Sequence, residues 1–159
     1  MSGGPSDRRR SAVPAESPGA VVRLRDFNWE DWPQVLALWQ SAGSGIHLGR
    51  SDSPDEILKK QQHDPDLFLL AEGEGEIIGA VLGGYDGRRG IVYHLAVVPE
   101  RRREGVGRSL MRELERRTAA RGCVKSYLLA TPDNLEAVAF YRRLGWDVMD
   151  MVLMGKELP

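Results

Sequence analysis

The chain lacks the residue sets that would mark a redox, metal or membrane protein. It has one cysteine, Cys123, so no internal disulfide can form, and a reducing, cytoplasmic setting is expected. Cys123 sits between Gly122 and Val124 with no histidine motif nearby, which reads as a small packed hydrophobe rather than a nucleophile. The three histidines, His47, His63 and His94, show no ligand spacing, so no metal is expected. No apolar run is long enough for a membrane helix, and the first residues have no apolar signal core. The formal net charge of -1 gives no bulk attraction to nucleic acid or to an anionic membrane, so neither partner is expected. There is no internal repeat, and no nucleoside-triphosphate loop of the form GxxxxGK[ST].

What is present starts with a length of 159 residues, enough for one domain with a sizeable core. Residues 1–20 are rich in Ser, Gly, Pro and Arg and are predicted to be a disordered tail, with residues 21–159 forming the domain. Arg8-Arg9-Arg10 in that tail reads as a solvated charge run.

The most informative stretch is Leu95 to Leu110, LAVVPERRREGVGRSL. An apolar strand ends at Val98, Pro99 breaks it, and arginines lead into Gly105-Val106-Gly107. Helical spacing follows, with Val106, Leu110, Leu114 and Thr118 four residues apart. A strand that turns through glycines into a helix gathers unpaired N–H groups at the positive end of the helix dipole. Arg101, Arg102, Arg103 and Arg108 add full charges there, so a bound diphosphate is expected. The dinucleotide fingerprint GxGxxG fails, because its third position is Leu110.

The rest of the chain sets this stretch in a mixed α/β order. Val21–Asp26 alternates as a first strand. Trp32, Val35, Leu36 and Trp39 recur at helical spacing after Asn28, and Ser53-Pro54-Asp55-Glu56 predicts a second helix from a capping box. Leu67–Glu72, Glu76–Tyr85 and Ile91–Val98 read as strands, with Asp86-Gly87 as a hairpin turn. Ser126–Thr131 reads as a fifth strand, and Asp133-Asn134 opens a helix that Gly145 ends. Trp146–Met154 is predicted to add one or two strands. The whole is a mixed central sheet of six to seven strands flanked by about four helices.

Two motifs in this order resemble the GCN5-related N-acetyltransferase superfamily. Arg102-x-x-Gly105-x-Gly107 resembles its acyl-CoA pyrophosphate loop. Asn134, Ala137, Tyr141 and Gly145-Trp146 resemble its second signature, and the likeness covers roughly Val21 to Leu158. The stretches GGYDG and RGC look like a small bacterial branch. The resemblance implies that acetyl-CoA is the cosubstrate and that the acceptor is a small-molecule amine or a protein or peptide amine. It implies a monomer or homodimer. It further implies that the backbone around Leu95, Ala96 and Val97 pairs with the pantetheine arm. Arg102, Arg103, Glu104, Gly105, Val106, Gly107, Arg108 and Ser109 would hold the pyrophosphate, Asn134 would bond the pantetheine end, and Tyr141 would be the general acid. The helical pair before the second strand would wall the acceptor cleft.

The base departs from the better-known members. Their glutamates fall on positions matching Leu129 and Ile91 here, so neither is present. Strict alternation along the fourth strand would put Ile91, Tyr93 and Leu95 on one face, and Val92, His94 and Ala96 on the other. On that pattern Tyr93 reaches substrate, directly or through water, and His94 lies beneath the sheet as a hydrogen-bonded core residue. Two other readings compete with direct amine acetylation: a non-catalytic acyl-CoA sensor, and a transferase of a different acyl group.

Overall fold

The computed structural model describes residues 21–159, Ser44 apart for its side chain; the expected tail lies outside the described residues. Five strands form one sheet in chain order: β1 Val22–Asp26, β2 Phe68–Gly73, β3 Glu76–Tyr85, β4 Gly90–Val97 and β5 Ser126–Leu128. The first four are antiparallel, and β5 joins β4 in parallel. The helices are α1 Trp32–Ser41, α2 Pro54–His63, α3 Val106–Ala120 and α4 Leu135–Arg143.

Both faces of the sheet are covered, which is why Leu67 to Ala71 is buried at every residue rather than at alternate ones. Phe68, Leu70 and Leu82 pack against Val35, Leu38 and Trp39 of α1 and Ile57 of α2. Leu69, Val81 and Val92 pack against Val106, Leu110, Met111 and Leu114 of α3 on the opposite face. The helical spacing read from the sequence therefore marks the buried stripe of α3, and truncating Leu114 to Ala would cost about 2–5 kcal/mol. That helix lies close on β3: a Cβ added at Gly83 would come within 2.6 Å of Leu114 Cδ1. At the entry to α1, Asp31 accepts from Asn28 N (2.9 Å) and from Arg25, whose Nε also donates to Glu72 (2.7 Å). One guanidinium thus ties the start of the helix layer to β1 and β2.

Three expectations are corrected. The sheet has five strands rather than six or seven, because nothing after Trp146 joins it. Asp147 and Asp150 interrupt that apolar run, and Met151 N donates to Met149 O (3.1 Å), a tight turn that takes the chain out of ladder geometry. Val148, Met151, Val152 and Met154 are left exposed. At α2, Ser53 occupies the N-cap position without a side-chain cap bond.

The third correction bears on the site. The register along β3–β4 slips between Leu82, which faces His94, and Gly83, which faces Val92, so Tyr93 is an extra residue on β4. This bulge breaks the alternation. Val92, Leu95 and Val97 pack on the α3 side, whereas His94 and Ala96 face the α1 side. Tyr93 is also turned toward that layer, with Lys60 Nζ of α2 5.9 Å from its ring centroid. Tyr93 and His94 therefore share a side.

Candidate active site

The parallel β4–β5 ladder is only three pairs long and stops at Val92–Leu128. The bulge at Tyr93 follows at once, and a bulge bends its strand and increases the local twist. From Tyr93 to Val97, the β4 edge that faced β5 has no strand beside it among the described residues. The two strands form a fork, and the open edge at Leu95, Ala96 and Val97 is free to pair with an extended chain. One acceptor there is already used: Arg102 Nε donates to Val97 O (3.2 Å).

Beyond the fork, Pro99–Arg101 makes a single helical turn and α3 begins. Arg103 (φ +66°) and Gly105 (φ +84°) are both left-handed. Left-handed residues set among right-handed ones turn successive N–H groups to one side, a concavity that suits an anion. Arg103 adopts this backbone without glycine's freedom, a strain that concentrates at functional loops. The first bond of α3 runs from Ser109 N to Gly105 O (3.0 Å), so Val106, Gly107 and Arg108 keep N–H groups with no partner inside the helix. The Ser109 N–H is taken by the helix, which leaves its exposed hydroxyl for a ligand. Arg101 is engaged by Glu104 (2.6 Å). Arg103 and Arg108 are exposed and form no ion pair among the described residues. The cradle is therefore cationic, built largely from backbone, and of the chemistry that holds a diphosphate.

Gly107 also has a packing role. A Cβ there would lie 3.3 Å from Phe140 Cζ and 3.6 Å from Val97 Cγ2. The missing side chain makes room for α4, not for the ligand alone. Phe140 seats α4, the helix that bears Tyr141 and is capped by Asn134, against the start of α3. Sequence spacing placed both residues on one helix, but no local pattern reveals that Phe140 fills a glycine on another.

Asn134 caps α4, its Oδ1 accepting from Ala137 N (3.2 Å). Its amide points the other way, with Nδ2 3.8 Å from where a Cβ on Gly45 would stand. The loop after α1 thus reaches the start of α4. Tyr141 packs between Phe140 and Trp146, with ring centroids 5.1 and 6.2 Å away. Burial pushes its phenol up to about 12. Tyr93 is half exposed, and its phenol is also raised, first by burial and then by the charges of Asp64 and Asp86. Both tyrosines therefore stay protonated at neutral pH and can donate; neither is suited to remove a proton by itself.

On the α2 side of β4, a cavity of about 360 Å³ is lined by Asp52, Glu56, Ile57, Lys60, Leu82 and Tyr93, among others. At its edge His94 Nε2 bonds Asp52 Oδ1 at 2.6 Å, and the ring stands edge-on to Trp39, centroids 4.8 Å apart. Of the two loop residues nearby, His47 and Arg50, both are exposed, and Arg50 lies 3.8 Å from Glu157. Ile91 and Leu129, the positions to which the family resemblance assigned glutamates, bring no carboxylate of their own. Among the described residues no group of three His, Cys, Asp or Glu is arranged to hold a metal. No described helix is long and apolar enough to cross a membrane. Cys123 lies beside Gly90, at the paired end of β4, with Sγ 3.6 Å from Ser126 Oγ.

The sequence profile of the Acetyltransferase (GNAT) family matches residues 21–146. An acetyltransferase of Pectobacterium atrosepticum is 39% identical over 137 residues, which are 86% of this chain and 96% of that protein. One of Sodalis glossinidius is 38% identical over 138 residues, with the same two coverages, 86% and 96%. Among solved structures, Ard1 of Thermoplasma volcanium superposes with a TM-score of 0.71 at 23% identity, covering 80% of this chain and 84% of its own. The aminoglycoside N-acetyltransferase AAC(6')-Iy, solved with a CoA-linked bisubstrate analogue, superposes at 0.68 with 16% identity, covering 88% of this chain and 100% of its own. At such identities the likeness to these solved structures concerns the fold.

Proposed function

The chain belongs to the GNAT acetyltransferase family, and from that premise we propose that it transfers acetyl from acetyl-CoA to a primary amine by direct attack. The observation that carries this reading is the β4–β5 fork opening onto the cradle at the start of α3. The cradle's free N–H groups, with Arg103 and Arg108, would hold the diphosphate, and the open β4 edge would pair with the pantetheine amides. Positioning of the thioester beside an amine can supply several kcal/mol of the barrier.

Tyr141, protonated throughout the working range, would donate to the sulfur as the C–S bond breaks. Direct attack is favoured because Cys123 sits at the closed end of the sheet, away from the open edge. The cavity under Tyr93, about 360 Å³, is of the size that takes a small molecule. The aminoglycoside transferases among the fold relatives support a small-molecule amine as acceptor in the same way. A single half-buried cysteine fits a reducing, cytoplasmic setting.

The test is thiol release from acetyl-CoA over a panel of amines, with products read by mass. Amine-dependent release with an N-acetylated product is the expected result. Binding of acetyl-CoA with no turnover on any amine would contradict the reading.

A further inference from the structure

We propose that His94, held by Asp52, is the group that removes the proton from the acceptor ammonium. The inference rests on the amine-acetylation reading and supplies the base which that reading lacks. Three observations place it. First, the bulge at Tyr93 turns His94 onto the α1–α2 side, the same side as Tyr93 and the cavity. Second, His94 follows the last β4–β5 pair by two residues, so it stands at the crotch of the fork where the open edge begins. Third, Asp52, itself a wall of the cavity, bonds Nε2 at 2.6 Å, and no hydrogen bond occupies Nδ1 among the described residues.

An Nε2–H donated to a carboxylate fixes the neutral tautomer with its lone pair on Nδ1. That is the arrangement in which one carboxylate orients an imidazole as a base. Trp39 fixes the ring plane from the other side.

The step balances. Nδ1 takes one proton from R–NH3+, and the freed amine attacks the thioester carbon, forming C–N while the carbonyl pair moves to oxygen. On collapse the carbonyl re-forms and the C–S bond breaks. The thiolate takes a proton from Tyr141, which recovers it from the new amide nitrogen. The proton on Nδ1 leaves to solvent. Asp52 acts through His94 and is a positioning residue.

The cavity that Asp52 lines holds further ionisable groups: Tyr93 on β4, and Glu56, Lys59, Lys60 and His63 on α2. The test therefore needs the pH profile as well as the rate. His94→Gln keeps an amide donor for Asp52 but cannot take the proton. Expected for it are unchanged acetyl-CoA affinity by calorimetry and a fall in kcat/KM for the amine of about a hundredfold or more. The acid limb of the wild-type profile should vanish, with the rate rising instead toward the amine's own deprotonation, near 10 for an alkylamine. Asp52→Asn removes the negative charge beside the ring. It should lower kcat and move the acid limb to lower pH, a displacement that a purely structural role would not cause.

The assays use a dipeptide, a lysine amide and an aminoglycoside as acceptors. If wild type turns over and His94→Gln matches it within about twofold, or keeps the same limb, the base is another group and the proposal is overturned alone. If wild type binds acetyl-CoA but acetylates none of the acceptors, the amine reading fails and the proposal falls with it. Should His94→Gln lose its fold, the Asp52→Asn profile decides: an unmoved limb overturns the role.

Discussion

Burial decides what Tyr141 can do. A phenol raised to about 12 is a poor proton acceptor and a permanent donor, so its chemistry lies with the departing sulfur. Tyr141→Phe should leave acetyl-CoA binding and melting temperature nearly unchanged and reduce turnover by about a hundredfold to ten-thousandfold, in steady-state and calorimetric assays run side by side. Gly105 is the cleaner probe of the cradle, because its left-handed backbone lies in open space with no side chain to displace. Gly105→Ala should cost about 1–2 kcal/mol of strain or weaken acetyl-CoA binding to a similar degree, measured by thermal melts and titration. Gly107→Val, by contrast, should loosen α4 by pushing on Phe140, and so lose affinity and Tyr141 chemistry together. That Gly105 and Gly107 open α3, and that Asn134 and Tyr141 lie at the start and on the body of α4, was legible in the sequence because motif spacing survives translation into structure. The side of His94 was not, since a one-residue bulge reverses a period-two pattern and leaves no signature in VYHLA.

At the scale of elements, α3 is the spine that joins the sheet to the cradle, and its fit on β3 is tight. Gly83→Ala would press a methyl into buried Leu114, and about 1–3 kcal/mol of stability should be lost in chemical denaturation. The far ends of α2 and α3 meet at Asp64, which is buried. Burial alone would raise its carboxyl, but Lys60, the Tyr85 N–H (3.2 Å) and Arg121 (2.6 Å) outweigh it and hold it below its ordinary 3.8. A carboxylate lowered on folding stabilises fully above its unfolded value, and that contribution drains away as pH falls through the folded one. Wild type should thus lose stability steeply below about pH 4, and Asp64→Asn should flatten that limb while costing on the order of 1–3 kcal/mol at neutral pH, both read from denaturant melts. The strands and α3 could be read from hydrophobic period alone. The end of the chain could not, because an apolar run with two aspartates looks like a strand until its partner edge proves only three residues long.

For the whole molecule, one sheet is covered on both faces, and its fourth strand parts from the fifth over the start of α3. The core sets the shape of that fork, since β4 is paired with β3 along its length and the bulge follows the last β4–β5 pair. A ligand that binds only this folded arrangement stabilises it by mass action, about 2.7 kcal/mol at a hundred times its dissociation constant. The most direct measurement is a calorimetric titration of acetyl-CoA into the wild-type chain and into Gly105→Val, with melting curves of the same samples. Expected are saturable one-to-one binding and a raised melting temperature for wild type, both strongly weakened in the variant. No heat and no shift for wild type at about millimolar acetyl-CoA, or equal binding by the variant, would contradict a site built on the β4–β5 fork and the cradle at Gly105.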